Sequence, residues 1–127
     1  MFCNLIRFTN FAKKTIMWVD VFKVGSYGTS DGTTREWTEE EIEVIVDKYN
    51  NQPEETKHTA PIVYGHPKDD SPALGWVEKL RKKGKILQAK LVELSEELVD
   101  AIKSGAYKFV SIALYPDMLL RHVGILG

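Results

Sequence analysis

Residues 18–24, Trp-Val-Asp-Val-Phe-Lys-Val, are β-prone, alternate apolar and polar at their centre, and predict a first strand closed by the turn cluster Gly25-Ser26-Tyr27-Gly28. The polar stretch 29–35 carries Asp31-Gly32, the signature of a hairpin tip. Thr38 followed by Glu41 forms a capping box. Ile42, Ile45, Val46 and Tyr49 then recur at helical spacing, so a helix with one apolar face is expected up to the Asn50-Asn51-Gln52-Pro53 stop. A polar loop through His58 leads to the buried-strand run of residues 61–64, and Gly65 turns the chain. Residues 74–80 and 86–94 flank Lys82-Lys83-Gly84-Lys85 and predict a β-hairpin. Ser95 caps a short second helix carrying Leu98, Ala101 and Ile102, which Gly105 ends. Two further strands are expected at residues 107–115 and 118–127, the last interrupted by Arg121-His122.

Composition narrows what such a chain can be. At 127 residues it fits one domain with a real core. With 43% hydrophobic and 28% charged residues it has an ordinary globular make-up, and a net charge of −1 argues against a non-specific nucleic-acid binder. No stretch is apolar for long enough to span a bilayer as a helix, so no membrane partner is expected. The single cysteine, Cys3, leaves no internal disulfide. Residues 1–16 mix aromatic and basic side chains without periodicity and lack a signal-peptide pattern. They are read as an extension before a domain at 17–127, and Met17 offers an internal translation start.

Most chemical motifs are missing. There is no glycine-rich phosphate loop, no Cys/His cluster with zinc spacing and no Gly-x-Ser-x-Gly elbow, and no cofactor is expected. His58, His66, Asp69 and Asp70 could be combined into a metal site, but their spacing offers no ordered ligand set; His58 is read as a solvated loop residue and the paired carboxylates as solvated too. The basic run 81–85 at a hairpin tip reads as a solvated turn. What remains is one serine and two histidines at strands or strand ends: His66, Ser111 and His122. His66 stands between Gly65 and Pro67, so it is held extended, and taken alone it reads as a turn histidine rather than a catalytic one. Alternation puts Phe109, Ser111 and Ala113 on one face, where the hydroxyl is either a hydrogen-bonded structural group or a nucleophile needing a base, an orienting group and oxyanion donors.

The order and contexts of these residues resemble the I protein family of Mu-like bacteriophages, capsid-assembly proteases whose precursor carries a scaffold region. The matching pieces are Val21-Phe22 with Gly25, Trp37-Thr38, Pro61-Ile62-Val63 with Gly65-His66-Pro67, Ser71-Pro72-Ala73 with Gly75-Trp76-Val77, Ile102-Lys103 with Gly105, Val110-Ser111-Ile112, and Leu120-Arg121-His122-Val123. The chain is also similar to other tailed-phage prohead proteases, and His122-Val123 looks like the site of the third catalytic residue in herpesvirus assembly proteases. The resemblance covers residues 18–127.

That resemblance implies Ser111 as nucleophile, His66 as general base and acid, and His122 as the group that orients His66. It implies a prohead serine endopeptidase acting on scaffold and major capsid precursors, self-associating, in the bacterial host cytoplasm inside the assembling procapsid. A neutral second histidine supports an imidazolium less than a carboxylate does, so a slow enzyme is expected. The implied fold is α+β, a mostly antiparallel, barrel-like sheet with two short helices. The arginine-containing oxyanion loop and closing elements of the herpesvirus enzymes have no counterpart before Gly127, so the domain is expected to be incomplete at its C-terminus and to be unstable or oligomeric alone. The alternatives are a catalytically inactive capsid-assembly or scaffold module, such as a prophage remnant, and, ranked below it, a small metal-dependent hydrolase. Geometry sets the condition for the protease: the His66 imidazole must come within about 3 Å of Ser111.

Overall fold

The computed structural model describes residues 2–7, 17–28, 31–65 and 72–127, with side chains described from residue 18 onward. Among the described residues nine strands and two helices follow in order: β1 (Phe2–Arg7), β2 (Met17–Lys23), β3 (Gly25–Gly28), β4 (Thr34–Trp37), α1 (Glu39–Asn50), β5 (Pro61–Tyr64), β6 (Gly75–Lys83), β7 (Ile86–Val92), α2 (Glu96–Lys103), β8 (Phe109–Leu114) and β9 (Leu120–Leu126). A one-turn 3₁₀ helix, Glu54–Thr56, sits in the loop before β5.

Seven strands form one sheet in the order β1-β8-β9-β5-β6-β7-β2, and β3 and β4 form a separate hairpin. Every pairing is antiparallel except β5 with β9, so the architecture is α+β with a mixed, mostly antiparallel sheet. The outer strands β1 and β2 approach each other as the sheet curls. No ladder joins them among the described residues, which form no closed barrel. Phe2–Arg7 lies inside this sheet, paired with β8, where sequence patterning places an extension outside the domain. Strand pairing uses backbone groups, which side-chain periodicity does not report.

Of the sheet's four register shifts, one lies between Phe2 and Ile6 of β1, and each of the other three comes from one extra residue in one strand. Asp20 and Phe22 of β2 face Gln88 and Leu87, so Val21 is the extra residue; Val77 and Lys79 of β6 face Leu91 and Lys90, which makes it Glu78; Ala113 and Leu114 face His122 and Leu120, which makes it Arg121. Each bulge sharpens the local twist and breaks the two-residue period. Consecutive Val21 and Phe22 can therefore both be fully buried.

The cluster Gly25-Ser26-Tyr27-Gly28, expected as a turn, is strand β3. It pairs residue for residue with β4, and the Asp31-Gly32 tip falls between them as expected. Gly84, at φ +61, leads the two-residue turn between Lys83 and Ile86, the geometry of a type II′ hairpin in which a side chain at that position would be strained. The basic tip is not simply solvated. The Arg81 guanidinium lies 4.0 Å from the Trp18 ring centroid and donates to Gln88 over 2.8 Å, and Lys82 pairs with Glu39 at 3.1 Å.

Both helices start where their caps predict. Thr38 and Glu41 make the reciprocal capping box of α1, and the Ser95 hydroxyl accepts from the Leu98 N–H. Gly105 and Ala106 donate back to Ile102 and Ala101, closing α2 with the paired bonds of a Schellman ending. One core gathers Val19, Val21 and Phe22 of β2, Ile42, Ile45 and Tyr49 of α1, Leu98 and Ile102 of α2, and the inward residues of β5 to β9.

The end of α1 is stitched to β6 beyond the point where β5 stops pairing. The Tyr49 hydroxyl donates to the Val77 carbonyl and accepts from the Ala60 N–H at 2.9 Å. Asn50 donates to the Leu80 carbonyl (2.8 Å) and accepts from its N–H (2.9 Å), as a neighbouring strand would. Burial pushes the Tyr49 phenol above its ordinary pKa, and the Ala60 bond offsets part of that. Tyr49→Phe strands two buried backbone groups and is expected to lower unfolding free energy by about 2 kcal/mol in urea titrations. In the unfolded chain the phenol ionises near its ordinary value of 10.0, whereas the folded one holds its proton longer. Wild-type stability should therefore fall more steeply than that of Tyr49→Phe as pH rises past that value, through the raised folded pKa.

Candidate active site

Strands β8 and β9 are buried on both faces. Val110 and Ile112 of β8, with Val123 and Ile125 of β9, point into the main core. Ser111 and Ala113 therefore face the reverse side. Ser111 lies opposite Gly124 and Ala113 opposite His122, so Ser111, Ala113, His122 and Gly124 share that side. Parallel pairing of Val63 with Gly124 adds Val63 to the same row. Val63 and Ala113 are 2% and 1% exposed yet stand apart from the main core cluster, so the reverse face carries a second, smaller buried patch.

Ser111 is 0% and His122 5% exposed within this patch, and both have interaction partners. They are diagonal neighbours across an antiparallel ladder, about 7–8 Å apart along the backbone and within reach of an imidazole. Gly124, directly across from Ser111, adds no side chain beside the hydroxyl. The structure thus brings two of the three sequence-predicted residues together.

The bulge at Arg121 is what puts His122 there. Leu120 and Val123 are three residues apart and both belong to the core, which strict alternation does not allow. Taking Arg121 out of register turns His122 away from the core and onto the Ser111 side. The bulge is held from outside. The ring Nε2 of His58 lies 2.8 Å from the Arg121 carbonyl as its donor, and the same ring packs edge-on against Tyr115 at 5.3 Å. The Arg121 guanidinium covers Tyr115 from 5.5 Å. Gln52 fixes the backbone beneath, accepting from the His58 N–H at 2.8 Å and donating to the His58 carbonyl at 3.0 Å. The expectation that His58 is a solvated loop residue is corrected: it is half-buried and braces the bulge.

His66, and with it Asp69 and Asp70, lies outside the described residues. The strand that leads to it is described. Gly65 donates to the Ile125 carbonyl over 2.9 Å and then turns at φ +59, a conformation in which glycine carries no side-chain penalty. Tyr64, just before it, stacks on Tyr107 at 4.8 Å; burial chiefly, then Glu97 and Tyr107, raises its phenol pKa. Among the described residues no three potential metal ligands converge, and no helix is long and apolar enough to cross a membrane.

Sequence reasoning did not find the bulge or its brace. One signal was present: apolar residues at 120 and 123, rather than at 121 and 123, around a polar pair. Comparison with protein-family models, with curated proteins and with solved structures finds no match to this chain.

His58→Ala removes the donor to the Arg121 carbonyl. It is expected to cost on the order of 1 kcal/mol and to shift the imidazole NMR signals of His122, whereas Thr59→Ala should do neither.

Proposed function

We propose that this chain is a serine endopeptidase of the prohead type, which cleaves scaffold and major capsid precursors during phage head assembly in the host cytoplasm. The observation that carries the proposal is the shared reverse-face patch in which a bulge sets His122 beside Ser111. In the proposed reaction the Ser111 hydroxyl oxygen attacks the scissile carbonyl carbon while His66 takes its proton. His66 then protonates the leaving amine as the C–N bond breaks, and water releases the acyl group from Ser111 by the same steps in reverse roles. His122 orients His66. Contact between the curled sheet's outer strands supports a barrel-like architecture of the assembly-protease kind. Self-association inside a procapsid would raise effective concentration and offset a slow triad.

One observation favours a second reading. A hydroxyl with 0% exposure is closed to a polypeptide substrate, which suits a capsid-assembly module that keeps the fold without turnover. A fluorophosphonate probe separates the readings. The protease is expected to label at Ser111, with labelling abolished in Ser111→Ala and slowed at least about 100-fold in His66→Ala. Folded protein that takes no label would favour the module. Hydrolysis that survives Ser111→Ala but stops with EDTA would overturn both in favour of a metal-dependent hydrolase.

A further inference from the structure

The reverse face extends beyond the Ser111 patch. Extending the parallel β5–β9 register one residue back from Ile62 and Val123 sets Pro61 on the side of His122; Trp76 faces Pro61 and Val92 faces Trp76, so one row runs from Ala113 through His122 and Pro61 to Trp76 and Val92. At its far end a groove of about 390 Å³ opens between the segment before β5 and the adjoining ends of β6 and β7. Half-buried Trp76 lines it, with Glu78, Glu93, Thr59 and Lys57 around it.

The protein treats its other two tryptophans alike. Arg35 lies 3.5 Å from the Trp37 ring centroid and pairs with Glu41, and Arg81 lies 4.0 Å from the Trp18 centroid and pairs with Gln88. Each is an arginine stacked on an indole with an oxygen acceptor holding its fork. Trp76 has the aromatic face and two carboxylates, but among the described residues no arginine covers it. Glu78 is engaged by Lys90 at 3.2 Å. Glu93 is exposed and sits at φ +54, a left-handed conformation where glycine or asparagine is the usual choice. A glutamate kept there at a conformational cost holds its carboxylate at the groove.

From these parts we infer that the Trp76 groove binds an arginine side chain of an extended peptide, the guanidinium stacking on the indole and pairing with Glu93. Resting on the protease reading, the groove is a specificity site for the substrate. Ser111 is three strands away on the same face and two residues along β8 from the end of this row at Ala113, about 16 Å at 4.8 Å per strand and 3.4 Å per residue, which an extended chain covers in about five residues. Substrates would therefore carry arginine about five positions from the bond cleaved.

The test uses the full chain as Ser111→Ala, so that no turnover competes, and a fluorescein-labelled, alanine-rich hexapeptide with one arginine. Its citrulline isostere has the same shape without the charge. Fluorescence anisotropy is expected to give binding at least about tenfold tighter for arginine, with the preference lost in Trp76→Ala and in Glu93→Gly. Glu93→Gly relieves the backbone and should melt no lower than its parent, so a loss of binding there is not a loss of folding. Equal affinity for the two peptides, no binding of either, or a preference that survives both substitutions overturns the inference. An arginine preference in a chain whose Ser111 takes no fluorophosphonate would sink the protease reading and leave the groove as a peptide-docking site.

Discussion

A β-strand offers its side chains to two faces in strict alternation, and this chain's candidate chemistry depends on breaking that rule once, at Arg121. With the bulge, Leu120 and Val123 both reach the core and His122 is turned to the reverse face beside Ser111. Without it, burying Leu120 would put His122 in the core and Val123 on the outside. The bulge leaves a carbonyl out of register, and the His58 ring satisfies it from a loop that Gln52 closes. A residue 63 positions away thus holds the geometry of the patch.

The same device recurs through the sheet. Extra residues at Val21 and Glu78 raise the local twist, which lets adjacent Val21 and Phe22 both bury and brings the outer strands β1 and β2 toward each other. Where β5 stops pairing with β6, the exposed backbone of β6 is met by Tyr49 and Asn50 from the end of α1. The helix therefore does more than cover the core: it takes the place of the missing strand. The curled sheet has a second face that is buried around Ser111, and the same face carries the Trp76 groove.

Ser111 and His122 stand on one face in diagonal register, and the full burial of the hydroxyl withholds it from solvent. An isolated hydroxyl or imidazole in an apolar patch is costly, and each of the two has at least one interaction partner.

Much of the architecture is legible in the chain itself, because local rules write it there. The capping box at Thr38, the Ser95 cap, the Gly105 stop, the Asp31-Gly32 tip and the Gly84 turn are short-range signals between residues a few positions apart. The α+β class and the pairing of apolar runs into strands follow from them. What the sequence could not express is pairing between distant backbones: the strand at Phe2–Arg7, the strand at Gly25–Gly28 and the parallel β5–β9 contact carry no periodic signature of their own. Nor could it say which face His122 takes or that His58 has a partner, since both turn on a register shift set by how Leu120 and Val123 pack. Candidate residues were visible one by one as chemical types. Their meeting on one face was decided by the sheet, because only tertiary packing chooses where a strand skips a residue.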